Sequence, residues 1–254
     1  MKKMITAILM FDLALGLLFL CLLVSKNISA YNTTGDSYLV DNLGGNFFVT
    51  GDSEGETSLE SDATVAETLT EKRIALTFDD GPHPRYTEML LDGLKERGVV
   101  ATFFVTGEHA ALHPDIIERM YHEGHMIGNH TYSHMQLSKK NLEAYKEELI
   151  RTCEVIEEIT GEEVLYVRPP YGSWNKSIEK DLNMFPVLWT VDPLDWCSSN
   201  VKAIVNRIVK NVKEDDIILM HDYYATSVEA ALQAIDKLLE QGYHFVTVEE
   251  ILFD

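Results

Sequence analysis

Short, apolar, β-rich runs alternate with amphipathic helical segments from residue 71 to the C-terminus of this 254-residue chain. The predicted strands span residues 73–78, 101–105, 126–128, 164–167, 186–191, 216–220 and 244–248. The predicted helices span residues 85–97, 114–122, 141–160, 201–212 and 228–240. Repeated strand–helix units favour a parallel sheet, either open or closed into a barrel. In such folds the functional residues lie at the carboxyl ends of the strands.

The N-terminus carries an almost wholly apolar segment of 21 residues, 4–24, which follows Lys2 and Lys3. As a helix this segment would be about 31 Å long, which matches the roughly 30 Å hydrocarbon core of a bilayer. The two lysines favour a cytoplasmic N-terminus, with the rest of the chain outside. Residues 1–30 are therefore predicted to be a membrane anchor, with a cleaved signal peptide ending near Ala30 as the alternative.

Residues 31–70 contain eight acidic residues and no Lys or Arg. Low hydrophobicity with charge of one sign predicts a solvated linker, although the apolar clusters around Leu39 and Phe47 could pack on the following domain. The formal net charge of the chain, −20, argues against binding to nucleic acid, which needs clustered basic residues. The three cysteines are too far apart in sequence to predict a disulfide framework or a cysteine zinc site. No protein partner is predicted.

Polar residues recur where five of the predicted strands end. They are Asp79 with Asp80, His130 with His134, Arg168, Asp192 with Asp195, and His221. Chance would scatter such residues over the helices and over both edges of the sheet. Their collection at one edge predicts a functional site within residues 71–254.

His130 and His134 are four residues apart, so on a helical turn both imidazoles would face the same way, as a metal ion requires. The spacing alone is weak, and two surface histidines are the alternative. A carboxylate from Asp79 or Asp80 would complete a set that leaves coordination positions open for water, which is typical of catalytic sites. Adjacent strand residues point to opposite sides, so one Asp could bind metal while the other faces the reacting water. Alternatively, the pair only begins a turn before Gly-Pro.

Three further segments carry candidate residues. The run Arg168-Pro169-Pro170-Tyr171-Gly172 is stiff because proline fixes φ, and it can hold Arg168 and the backbone N–H of Tyr171 in place. The run Asp192-Pro193-Leu194-Asp195-Trp196 sets two carboxylates beside an aromatic ring, which suits either a sugar face or core packing. His221 ends a predicted strand. Taken singly, each of these residues could be structural.

Taken in order, these segments resemble the five motifs of the polysaccharide deacetylases, carbohydrate esterase family four. The matching segments are Thr77-Phe78-Asp79-Asp80-Gly81-Pro82, His130-xxx-His134, Arg168-Pro169-Pro170-Tyr171-Gly172, Asp192-xx-Asp195-Trp196 and Leu219-Met220-His221. The resemblance covers about residues 71–252, and no motif position departs from the pattern. It implies an α/β fold, a distorted (β/α) barrel of parallel strands with outer helices, which the N-terminal hydrophobic helix would precede.

The resemblance also implies a role for each residue. The ligands of one divalent metal ion, usually zinc, with Co²⁺ or Mn²⁺ as alternatives, would be Asp80, His130 and His134. The catalytic group would be Asp79 as the base, His221 as the acid, and Arg168 and Asp195 as their charged partners. The substrate would contact Tyr171 through its backbone N–H, Trp196 through its ring and Leu219 beside the acetyl methyl group.

Members of this family remove N-acetyl, and in some branches O-acetyl, groups from polymers such as peptidoglycan, chitin and xylan. The sequence therefore predicts a hydrolase of carbon–nitrogen bonds other than peptide bonds, acting outside the cytoplasm on a glycan. Export beside the wall favours peptidoglycan N-acetylglucosamine as that glycan. The alternatives are a deacetylase of chitooligosaccharide or acetylated xylan, and a non-catalytic envelope glycan-binding protein. A two-His-one-carboxylate iron oxygenase is a third reading, but it leaves Arg168, Asp195 and His221 without a role.

Overall fold

The computed structural model describes residues 72–253, so the anchor and linker predicted for residues 1–70 lie outside the described residues. The strands in this part of the chain are β1 (Lys72–Asp79), β2 (Thr102–Val105), β3 (Met126–Asn129), β4 (Tyr166–Val167), β5 (Phe185–Pro186), β6 (Ile217–His221) and β7 (Tyr243–Val246). The helices are α1 (Tyr86–Arg97), α2 (Gly107–Leu112), α3 (Pro114–His122), α4 (Leu142–Thr160), α5 (Lys176–Leu182), α6 (Val201–Asn211), α7 (Ala225–Glu240) and α8 (Val248–Phe253). Short 3₁₀ turns lie at Pro170–Gly172 and Asp195–Cys197.

The strands form one parallel sheet in the order β5-β4-β3-β2-β1-β6, with β7 paired to the first residues of β1. The segment after β5 curls the sheet towards closure, because Val191 forms a parallel bridge with Ile218 of β6. The N–H of Leu219 donates to the carbonyl of Val191 at 2.9 Å. The expected distorted barrel of parallel strands is therefore confirmed.

The prediction of one continuous strand over residues 186–191 is wrong. Backbone pairing is confined to the two ends of this segment, Pro186 and Val187 with β4 and Thr190 and Val191 with β6. Leu188 and Trp189, which lie between them, belong to no strand. The barrel is distorted here because the chain leaves the hydrogen-bond ladder in crossing from one strand to the other.

The two faces of β1 meet different surroundings. Leu76 and Phe78 belong to the large apolar cluster that the outer helices complete. Thr77 and Asp79 point to the other face, and the register pairs them with Leu219 and His221 of β6. Paired residues in a sheet share a face, so these four side chains lie together near the carboxyl ends of two adjacent strands.

Three short helices, α2, α5 and α8, were not expected from the sequence. None is longer than seven residues, which is too short for an apolar period to stand out. The last strand ends at Val246, two residues before its predicted end, because α8 begins at Val248, whose N–H donates to Thr102 Oγ1 at 3.0 Å. Within residues 72–253, no helix combines the length and apolar character needed to cross a bilayer.

Candidate metal and catalytic centre

Left-handed backbone conformations concentrate in the loops that carry the candidate residues. The non-glycine residues concerned are Asp80, Thr131, His134, Tyr171 and Leu194, with φ between 57° and 75°. Such conformations cost on the order of 1–3 kcal/mol each and persist only where the surroundings hold them. Backbone strain is therefore concentrated at the edge of the sheet where the polar side chains meet.

Asp80, His130 and His134 come together at this edge. One ligand atom from each lies within 4.8 Å of the other two. Oδ1 of Asp80 is 3.4 Å from Nε2 of His130 and 3.4 Å from Nε2 of His134. The two histidines do not share a helical turn as the spacing suggested. An irregular loop with left-handed Thr131 brings their rings together instead.

The chemistry of these three groups fits a divalent cation. Nδ1 of His130 is 2.7 Å from the carbonyl oxygen of Arg168, which can only accept, so Nδ1 carries a proton and Nε2 is the ring nitrogen that faces Asp80. Oδ1 of Asp80 is shielded from solvent and has no hydrogen-bond partner among the described residues. Such an orphaned carboxylate oxygen between two imidazole nitrogens is what a bound cation would satisfy.

The pKa shifts of Asp80 and His134 are those expected of residues that bind a metal ion. Burial would raise the pKa of Asp80, but the adjacent imidazoles of His130, His221 and His134 outweigh it and hold the pKa far below its usual range. Burial lowers the pKa of His134, which favours the neutral form of its ring. An ionised carboxylate and a neutral imidazole are the protonation states that a metal ion requires.

Asp79 is the last residue of β1 and is only 3% exposed. Its Oδ1 accepts from Nη1 of Arg168 at 2.9 Å, and its Oδ2 lies 3.8 Å from Nε2 of His130. Asp79 and Asp80 do diverge, but not by alternation along a strand. The chain leaves the strand after Asp79 and turns at Asp80, where φ is 75°.

Arg168 is completely buried, and its guanidinium is held by hydrogen bonds to Asp79, to Thr77 and to two backbone carbonyls. Nε donates to the carbonyl of Val187 and Nη2 to that of Leu188, each at 3.3 Å. Nη1 also donates to Oγ1 of Thr77. The break in the predicted strand at residues 186–191 therefore frees two carbonyls to hold the guanidinium against Asp79.

Sequence reasoning missed Thr77 as a functional residue. It lies two residues before Asp79 on the same strand, so the strand period alone could have placed both on one face. The carbonyls of Val187 and Leu188 left no signal in the sequence, because any residue type supplies a carbonyl.

His221 ends β6 and is held by both oxygens of Asp195. Nδ1 of His221 is 3.0 Å from Oδ1 of Asp195, and the backbone N–H of His221 donates to Oδ2 at 2.9 Å. Burial would lower the pKa of His221, but the hydrogen bond and charge of Asp195, with the charges of Asp79 and Asp80, raise it to about 9. His221 is therefore protonated at neutral pH and can donate a proton.

We expect an Asp195→Asn variant to move the alkaline limit of turnover to lower pH. The acid form of His221 is present below its pKa, which is about 9, and is lost as the pH rises through it. Removing the charge of Asp195 removes one of the contributions that raise this pKa, while the amide oxygen can still accept from Nδ1. The measurement is kcat/KM against pH for both proteins, and an unmoved alkaline limb would contradict the pairing.

The three candidate substrate residues lie at different depths. Tyr171 is 67% exposed, and its ring meets that of His134 edge to face at 5.0 Å between centroids. Leu219 is buried on the face that carries Asp79. Trp196 is half-buried in the 3₁₀ turn that begins at Asp195. Asp192 supports the turn that presents Asp195, because its Oδ1 accepts from the N–H of Leu194 at 2.8 Å.

A curled parallel sheet with an Asp–His–His group at its carboxyl edge defines a (β/α)-barrel protein with a candidate metal centre. Two charged pairs, Asp79 with Arg168 and His221 with Asp195, flank that centre.

A family model described as polysaccharide deacetylase matches residues 66–187. The peptidoglycan-N-acetylmuramic acid deacetylase PdaC of Bacillus subtilis is 42% identical over 181 residues, which cover 71% of this chain and 39% of PdaC. A peptidoglycan-N-acetylglucosamine deacetylase of Bacillus cereus is 39% identical over 190 residues, which cover 72% of this chain and 89% of that protein.

A solved structure of Bacillus subtilis PdaC matches with a TM-score of 0.70 at 42% identity, covering 72% of this chain and 90% of that one. This chain therefore belongs to the polysaccharide deacetylase family, as the five motifs predicted. It spans about two fifths of the length of full PdaC.

Proposed function

We propose that this chain is a metal-dependent deacetylase that hydrolyses N-acetyl groups of an extracellular glycan and releases acetate. The observation that carries the proposal is the arrangement of two charged pairs around one ligand group. Asp79 is paired with Arg168, and His221 with Asp195. Asp79 and His221 stand opposite each other on the adjacent strands β1 and β6, and Oδ2 of Asp79 lies 3.8 Å from Nε2 of the ligand residue His130. A binding protein without turnover has no need of this buried acid and base.

The proposed roles follow from the contacts of each residue. Asp79 accepts a proton from the attacking water, and Arg168 holds its carboxylate ionised and in place. The water oxygen bonds to the carbonyl carbon, and the backbone N–H of Tyr171 stabilises the oxyanion. His221 then donates its proton to the amide nitrogen as the carbon–nitrogen bond breaks, leaving acetate and a free amine.

Asp80, His130 and His134 would hold one divalent ion, with zinc as the first choice and Co²⁺ or Mn²⁺ as alternatives. When bound, such an ion acts as a Lewis acid on the carbonyl and lowers the pKa of water. Two imidazoles and one carboxylate are a ligand set of catalytic zinc sites with open positions.

The proposed substrate is peptidoglycan, with N-acetylglucosamine as the sugar. The name of the Bacillus cereus relative supports this sugar, whereas the name of PdaC favours N-acetylmuramic acid as a second candidate. Leu219 would line the pocket of the acetyl methyl group, and the rings of Tyr171 and Trp196 would meet the sugar.

The test is acetate release from peptidoglycan, chitooligosaccharides and acetylated xylan, measured in parallel with and without a chelator. We expect release from peptidoglycan that the chelator abolishes and added zinc restores. Digestion of the product and mass analysis of the fragments identify which sugar lost its acetyl group. A chain that binds peptidoglycan and releases no acetate with any added divalent ion would be the non-catalytic binding protein instead.

We further propose that residues 1–30 anchor the chain or direct its export, that residues 31–70 form an acidic linker, and that residues 71–254 are the catalytic domain. The chain would then act outside the cytoplasm, tethered to the membrane or released to the wall. The apolar segment, the acidic composition of the linker and the wall-acting relatives support this arrangement.

A chain that begins at Glu71 is expected to keep most of its activity on a soluble oligosaccharide. All candidate site residues and their described partners lie in residues 72–253. The measurement is kcat/KM of the full and shortened chains, with circular dichroism to check folding. Loss of folding would show that an apolar cluster, around Leu39 or Phe47, packs on the domain.

A further inference from the structure

Helix α2 contacts both loops that carry the candidate metal ligands. Its first backbone N–H groups have no partners within the helix, and they donate to loop carbonyls instead. The N–H of Thr106, the residue just before α2, donates to the carbonyl of Gly81 at 3.1 Å, next to Asp80. The N–H groups of Gly107 and Glu108 donate, each at 3.0 Å, to the carbonyls of Thr131 and Tyr132, which lie between the two histidines. One short helix thus links the carboxylate ligand to the imidazole ligands.

The approach of α2 to the histidine loop and to α4 leaves no room for a side chain at Gly107. A Cβ atom there would lie 2.5 Å from the ring of Tyr132 and 2.6 Å from Oγ1 of Thr152. The start of α2 is therefore packed closely against both the histidine loop and α4.

His109, the third residue of α2, makes the only side-chain hydrogen bond that the described residues offer to the backbone carbonyl of Asp80. Its Nδ1 is 2.7 Å from that oxygen, which can only accept, so Nδ1 carries the proton and donates. Asp80 is the ligand whose backbone is left-handed, with φ at 75°. The ring of Tyr223 stacks on His109 at 5.4 Å between centroids, with 23° between the planes.

We propose that His109 is a positioning residue for the metal centre, which holds the strained backbone of Asp80 so that its carboxylate faces His130 and His134. The proposal rests on the metal site proposed above. Without the Nδ1–H donor, the turn at Asp80 relaxes and the carboxylate has to be reordered when the ion binds. Because this reordering costs free energy, the protein then binds the metal ion more weakly. Partners that orient metal ligands are worth roughly 10–100-fold in affinity.

The test compares His109→Asn with His109→Leu in the full chain. The two replacements have nearly the same shape and both remove the stack on Tyr223, but the amide nitrogen of Asn occupies the place of Nδ1 and can still donate. Zinc affinity is measured without glycan, by competition with a chromophoric chelator. We expect His109→Leu to bind zinc about tenfold more weakly than the parent, and His109→Asn to stay within about threefold of it.

Two further variants complete the design. Tyr223→Leu keeps the donor and removes the stacked ring, so its zinc affinity is expected within about threefold of the parent. If His109→Leu fails to fold, His109→Ala takes its place as the variant without a donor. Equal zinc affinities for the Asn variant and the variant without a donor would overturn the proposal.

The readout separates this inference from the deacetylase function. Zinc binding is measured in the absence of any acetylated substrate, so a chain that releases no acetate could still show the difference between Asn and Leu. A purely structural His109 would lower the melting temperature of the metal-free protein in both variants alike, and their zinc affinities would not differ.

Discussion

An Asp79→Asn variant is expected to keep its metal ion at near-parental stoichiometry and to lose roughly 10²–10⁴-fold in turnover. The amide keeps the shape of the side chain and can still accept from Arg168, which lies 2.9 Å from Oδ1 in the parent. It cannot accept a proton from the attacking water. Added zinc should not restore the activity, because the defect lies in proton transfer.

The matched variant one residue later, Asp80→Asn, is expected to lose metal affinity and to keep the catalytic base. It removes the negative charge from an oxygen that lies 3.4 Å from Nε2 of both His130 and His134. Metal affinity should fall by at least the roughly 10–100-fold that loss of an outer-shell partner costs. Excess zinc should restore part of the activity, because the base is intact.

Metal analysis and acetate release on both purified variants decide between the two roles. Asp115→Asn, on the exposed first turn of α3, is the control for the same substitution outside the site. The reverse pattern, with metal lost at position 79 and retained at position 80, would mean that base and ligand are exchanged.

The second large effect is expected from His221→Ala, which should leave the metal bound and slow turnover by roughly 10²–10⁴-fold. His221 is not one of the three residues whose ligand atoms lie within 4.8 Å of one another. Its raised pKa, about 9, makes it a proton donor at neutral pH, and alanine has no proton to donate.

Equilibrium dialysis against zinc and acetate release measure the two properties separately. His122→Ala, an exposed histidine near the end of α3, is the matched control and should change neither. Loss of metal from His221→Ala would make His221 a ligand and would contradict its role as the acid.

The parallel sheet and most of its helices could be predicted from local pattern. The apolar runs of β1 and β2 and the amphipathic period of α4 are properties of neighbouring residues, so they can be read without knowing what packs against them. The grouping of polar residues at one edge could also be predicted, because it follows from the parallel sheet. In a parallel sheet all carboxyl ends meet at one edge, so residues far apart in sequence had to converge there.

The path of the chain between those strands could not be predicted. Residues 186–191 have the composition of a strand, yet Leu188 leaves the ladder and gives its carbonyl to Arg168. The helical turn suggested by His130 and His134 is a loop, because the carbonyls of Thr131 and Tyr132 are taken up by the first N–H groups of α2. Tertiary hydrogen bonds outweighed local preference in both segments.

The sequence by itself determined the family, the parallel (β/α) architecture and the identity of the residues that meet at the carboxyl edge. The family followed from the resemblance of five motifs, and the architecture from apolar periods of two and 3.6 residues, which are local. Only the tertiary structure decided how Asp79 and Asp80 diverge, what holds Arg168, and that His109 reaches the backbone of Asp80. Those contacts join residues that are far apart in the chain, and several use backbone carbonyls that every residue type possesses. No local pattern records them, because they exist only once the strands and helices have packed.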